Sequence, residues 1–107
     1  MNQAGLLEEG MALHRAGRYD DAARIYGSLL SDDPSNVAVL RLLGIVHTQR
    51  GEFDQALMLL QAASRFAPGA AEIYNDLGIA LRGKGMLEEA GEAFTAAVRL
   101  RPSPAAH

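Results

Sequence analysis

Three pairs of neighbouring carboxylates, Glu8-Glu9, Asp20-Asp21 and Glu88-Glu89, are the first places where acid/base or metal chemistry could be sought in this sequence. Adjacent side chains on a helix point about 100° apart, so such a pair does not converge on one reacting atom. Two of the pairs, Asp20-Asp21 and Glu88-Glu89, also fall at predicted helix starts, where a carboxylate faces the positive end of the macrodipole. Histidine chemistry has equally little support. His14 and His47 have no second histidine one helical turn away, which a histidine metal site needs, and His107 lies in the tail. Gly83-Lys84-Gly85 lacks the spacing and the preceding strand of a phosphate-binding loop. Cysteine is absent, which removes thiolate ligands, cysteine nucleophiles and disulfides together. The residues therefore predict no enzyme, no metal and no cofactor.

Charge narrows the partners. Ten basic and thirteen acidic side chains leave a formal charge of −3 over 107 residues, so no basic field exists to condense on nucleic acid or anionic lipid. The start, Met1-Asn2-Gln3-Ala4-Gly5 into Leu6-Leu7-Glu8-Glu9, lacks the basic region and apolar run of a secretory signal. No apolar stretch approaches the roughly 20 residues of a membrane-spanning helix. The expectation is a cytoplasmic protein with no nucleic-acid or membrane partner.

Self-similarity supplies the architecture. Pro34, Pro68 and Pro102 recur every thirty-four residues, and the same step relates Gly10, Gly44 and Gly78, then Gly17, Gly51 and Gly85, then Ala22, Ala56 and Ala90. Each unit reads as two amphipathic helices. In the middle unit Val37, Leu40, Leu43 and Ile45 belong to a first helix that Gly51 ends, and Ala56, Leu60 and Ala63 stripe a second one that precedes Pro68. The helices are expected at about 4–16, 19–32, 36–50, 53–66, 70–84 and 87–100. They make one domain over 3–104, with repeats of about 3–36, 37–70 and 71–104, and a tail at 105–107. Small residues at Gly10, Gly44 and Gly78 fit the crossing of two helices, with Tyr26, Leu60 and Phe94 filling the remaining volume.

These residues resemble the tetratricopeptide repeat pattern, Trp-x2-Leu-Gly-x2-Tyr, then Ala-x3-Phe, then Pro. The third unit reads Tyr74-x2-Leu77-Gly78-x2-Leu81, Ala90-x3-Phe94 and Pro102. The second reads Leu40-x2-Leu43-Gly44-x2-His47, Ala56-x3-Leu60 and Pro68. The first reads Leu6-x2-Glu9-Gly10-x2-Leu13, Ala22-x3-Tyr26 and Pro34, with Glu9 in place of the family leucine. The resemblance implies an all-α, right-handed solenoid of three antiparallel hairpins whose first helices line a concave groove for a peptide or protein segment. Carried over by position, the groove residues are Leu7, Met11 and His14, then Arg41, Leu42 and Ile45, then Asn75, Ile79 and Arg82. Leu7, Met11, Leu42, Ile45 and Ile79 would form an apolar floor, with Arg41, Arg82 and Asn75 as polar donors. The carboxylate clamp of chaperone-binding members is not expected, because Leu7, Met11, Leu42, Glu72 and Asp76 stand where its basic groups would sit.

Internal solenoid repeats bury one face against their successor, and the last usually needs a polar cap. Phe94, Ala97 and Val98 on the final helix are therefore expected to be partly exposed and to form a homo-oligomer interface. The alternatives to a groove-binding module are a self-associating scaffold and the N-terminal regulatory segment of a larger enzyme.

Overall fold

A computed structural model describes residues 3–101, and these fold into six helices with no strand among them. The helices are α1 (Gln3–Arg15), α2 (Tyr19–Asp32), α3 (Val37–Gln49), α4 (Phe53–Phe66), α5 (Ala71–Lys84) and α6 (Leu87–Leu100). The boundaries expected from the repeat agree with these to within about a residue. Pro102 and the tail at 105–107 lie outside the described residues. No helix is long and apolar enough to cross a membrane among the described residues.

One closing device serves all three hairpins. The first helix of each ends at a glycine of positive φ, Gly17 (+78°), Gly51 (+76°) and Gly85 (+89°), a region that a side chain disfavours. The amide that follows then donates back five residues, from Arg18 to Leu13, Glu52 to His47 and Met86 to Leu81, each at 2.8–2.9 Å. These bonds satisfy carbonyls that the helix end would leave bare, and they turn the chain antiparallel within three residues. Between repeats, Asn36 caps α3 by accepting from the Val39 amide at 3.2 Å.

Within each hairpin, the glycine of the first helix meets a large side chain of the second. A Cβ placed on Gly10 would stand 2.9 Å from the Tyr26 ring, one on Gly44 2.7 Å from Leu60, and one on Gly78 2.5 Å from Phe94. Only hydrogen fits there, so the crossings expected from sequence are present at all three sites. The buried side chains form two clusters. Ala22, Tyr26 and Leu29 pack with Val39, Leu43 and Val46, and Leu40, Ala56, Leu57 and Leu60 pack with Ile73, Leu77 and Ala80. Helix α3 contributes to both clusters and so joins the first hairpin to the other two.

Candidate functional site

The first helices α1, α3 and α5 succeed one another along one side of the array, and polar contacts link them. Arg41 Nε on α3 donates to Asp76 Oδ2 on α5 at 2.5 Å. His14 Nε2 on α1 lies 2.6 Å from Gln49 Oε1 on α3, which requires that nitrogen to carry the proton. Both links join residues thirty-five apart, one more than the repeat, so neighbouring first helices are staggered by a single position. His14 also sets its ring edge-on to Tyr19 and Tyr26, with centroids 5.8 and 6.2 Å away.

Asp76 is the polar centre of this surface. It is 8 % exposed, and burial raises its carboxyl above the ordinary aspartate value. The Arg41 hydrogen bond and charge work in the opposite direction, and Glu72 adds a further upward push. Beside it lies a hollow of about 150 Å³ lined by Ile45, Thr48, Gln49, Asp76 and Ile79. Thr48 turns its hydroxyl inward to the Gly44 carbonyl at 2.8 Å, which spends its donor on the backbone. The hollow is thus lined by two isoleucines on neighbouring first helices together with a carboxylate and an amide.

The expected groove residues divide into three groups. Ile45 and Ile79 meet in the hollow, and Ile79 is 36 % exposed. Leu7, Met11 and Leu42 are half-buried against the first core cluster. The polar members are partly committed: Arg41 is held by Asp76, His14 by Gln49, and the Arg82 guanidinium lies 5.7 Å from the centroid of the Phe94 ring. Asn75 is half-buried on α5. Arg41 is a donor as expected, and its partner within the chain, Asp76, sits one position beyond the thirty-four-residue register.

On the final helix one residue of the three, Ala97, departs from the expected exposure. Ala97 is only 2 % exposed, Phe94 is half-buried against Gly78, and Val98 stands 68 % exposed. Leu87, at 67 %, shares the outer surface and was not anticipated. Of the acidic pairs, Asp20-Asp21 also has ion-pair partners, and so has Asp54 at the start of α4. Asp21 meets Arg18 at 2.6 Å, Asp20 meets Arg50 at 3.0 Å, and Asp54 meets Lys84. Among the described residues no cluster of three or more His, Asp or Glu side chains could hold a metal ion.

Three repeated helical hairpins around small-residue crossings define a helical-repeat interaction module. Tetratricopeptide repeat profiles match residues 13–75 and 49–105, and the chain belongs to the tetratricopeptide repeat family. The small glutamine-rich tetratricopeptide repeat-containing protein 2 of Mycosarcoma maydis is 30 % identical over 98 residues, covering 92 % of this chain and 28 % of that protein. MamA from Desulfovibrio magneticus RS-1 superposes with a TM-score of 0.87 at 31 % identity, over 94 % of this chain and 57 % of that one. The first repeat domain of RPAP3, solved with an HSP90 peptide, has the same fold at 23 % identity and a TM-score of 0.89, over 94 % of this chain and 80 % of that one. The chain spans 10–28 % of the length of the curated relatives it matches.

Proposed function

We propose that this chain binds a peptide or protein segment along its concave side, seating one apolar side chain of that segment between Ile45 and Ile79. The observation that carries the reading is the hollow they share with Thr48, Gln49 and Asp76. It has about the room of a single aliphatic side chain and combines an apolar lining with a few polar groups, the arrangement expected of a recognition pocket. The Asp76 carboxylate in that lining favours a segment that offers amide or cationic donors. A ligand presenting its own carboxylate there would meet Asp76 and Glu72, and the Arg41 guanidinium already donates its Nε to Asp76. This direction is opposite to an acidic-tail clamp.

A peptide array of apolar-anchor sequences, flanked in turn by acidic, neutral and basic residues, supplies the test. Binders from the array should lose at least tenfold in affinity to Ile79→Glu, roughly 1.4 kcal/mol. Met58→Glu, on a side chain 71 % exposed on α4, should bind as wild type does. Circular dichroism should show unchanged helix content in both variants. Equal affinity of Ile79→Glu and wild type, or binders drawn only from the acidic set, would remove the groove assignment.

A further inference from the structure

The Asp76 carboxylate is half used. Its Oδ2 accepts from Arg41 Nε, whereas Oδ1 accepts from no group among the described residues. That oxygen is not sealed off, because the Tyr26 hydroxyl is the one polar side-chain atom buried without a partner among those residues. A carboxylate oxygen offers two acceptor sites, and a side chain 8 % exposed has little water to fill them. Thr48 donates its hydroxyl proton to the Gly44 carbonyl at 2.8 Å, so it offers the same hollow lone pairs rather than a donor.

The charges around the hollow do not cancel. Glu72, one helical turn before Asp76 on α5, is exposed and belongs to no ion pair among the described residues. Two carboxylates thus stand against the single guanidinium of Arg41, which leaves a negative charge uncompensated. Arg41 is itself 37 % exposed, so water and salt weaken its field more than that of the buried Asp76. The junction between α1 and α3 is built differently. Thirty-four residues before Asp76 stands Leu42, and thirty-four before Gln49 stands Arg15. The buried carboxylate therefore marks one place along the array.

We infer that Asp76 Oδ1 and Glu72 form a cation subsite beside the apolar hollow, taking a lysine or arginine one or two residues from the side chain seated between Ile45 and Ile79. The inference rests on the groove reading proposed above and adds the identity and position of the flanking residue. Asp76 and Ile79 are three residues apart on α5, about 4.5 Å along its axis, a distance that an extended segment spans in one or two residues. Because Leu42 replaces Asp76 at the other junction, the same cation fixes which pair of helices the segment occupies. Arg41 is a competitor within the chain: it holds Asp76 in place, yet its own positive charge opposes the incoming one.

The test uses matched peptides titrated against the full chain by calorimetry. Each carries a leucine anchor with lysine, norleucine, acetyl-lysine or glutamate at the first or second neighbouring position. The lysine form should bind about tenfold tighter than the norleucine form, which keeps the methylene stem without the charge. Acetyl-lysine should behave as norleucine does, glutamate should bind most weakly, and the lysine advantage should shrink as salt is raised. Asp76→Asn, which keeps an acceptor for Arg41, should bring the lysine-to-norleucine ratio toward unity, and Glu72→Gln should lower it by a smaller amount. Arg41→Met should raise it at neutral pH. The ratio is taken within each variant, so a loss of folded protein lowers both affinities and leaves the ratio intact. Equal binding of the lysine and norleucine forms, or a ratio that survives Asp76→Asn, overturns the subsite while Ile79→Glu still abolishing binding leaves the groove standing. A ratio lowered by Arg41→Met overturns the guanidinium's role as competitor. Binding of every form that Ile79→Glu does not weaken removes the groove itself, and the subsite with it.

Discussion

Replacing Gly78 by alanine sets two known effects against each other at one atom. The new methyl carbon would lie 2.5, 2.6 and 2.8 Å from Cε1, Cδ1 and Cζ of Phe94. Carbon atoms are comfortable at roughly 3.5–4.0 Å, so the ring must withdraw by about 1 Å. Withdrawal is resisted, because the ring is half-buried in the second core cluster and carries the Arg82 guanidinium on its face. Overpacking of this kind costs about 1–3 kcal/mol. Alanine in a helix interior returns about 1 kcal/mol relative to glycine, leaving a net loss of roughly 0–2 kcal/mol. In a Phe94→Ala background the obstruction is gone, and the same substitution should stabilise by about 1 kcal/mol. A double-mutant cycle in urea measures the coupling directly. Gly27→Ala and Gly91→Ala calibrate the helix-propensity gain alone, since both lie in helices with nothing within 4 Å of the added carbon. If Gly78→Ala has the same effect with and without the Phe94 ring, the crossing does not depend on that contact and the reasoning fails.

Two further predictions concern buried polar groups. The Tyr26 hydroxyl is buried with no hydrogen-bond partner among the described residues, and burial raises its pKa. Tyr26→Phe should therefore stabilise the fold by roughly 1 kcal/mol in thermal unfolding, and a lower midpoint would mean the hydroxyl is satisfied. Asp76 holds its proton more tightly folded than unfolded, so its contribution to stability falls as pH rises from the ordinary aspartate value through the raised one. Arg41→Met removes the group that opposes the shift. It should destabilise by about 1–2 kcal/mol at neutral pH, below the cost of breaking a fully buried pair because Arg41 is 37 % exposed. The loss should shrink in urea titrations toward acid, and an equal loss at every pH would rule out a dominant role for the Asp76 charge.

The thirty-four-residue repeat makes the skeleton legible in the sequence. A glycine, an alanine and a large residue at fixed offsets located the crossings of Gly10 with Tyr26, Gly44 with Leu60 and Gly78 with Phe94, all of them contacts inside one repeat. Relations between repeats were hidden, because they depend on how far one hairpin slides along the next. Arg41 reaches Asp76 and His14 reaches Gln49 one residue past the register, a stagger that aligning the copies does not reveal. The same holds for Leu7, Met11 and Leu42, apolar at first-helix positions, whose half-burial against the first core cluster depends on the spacing between helices. On the last helix, Ala97 and Val98 are neighbours in sequence yet point about 100° apart, which sends one into the core and leaves the other in the open.

Most contacts in the array run between consecutive helices, with α3 also touching α1 and α5. Every partner is therefore near in sequence, and few long loops must close before a contact forms. Chains organised this way reach the native state on the microsecond to millisecond scale, because little loop entropy is lost before contacts reward it. Any hairpin can form first and recruit its neighbour. Since α3 belongs to both buried clusters, the hairpin it shares with α4 is where an early native contact recruits the most surface on either side, and it is the part whose amides should exchange most slowly with solvent.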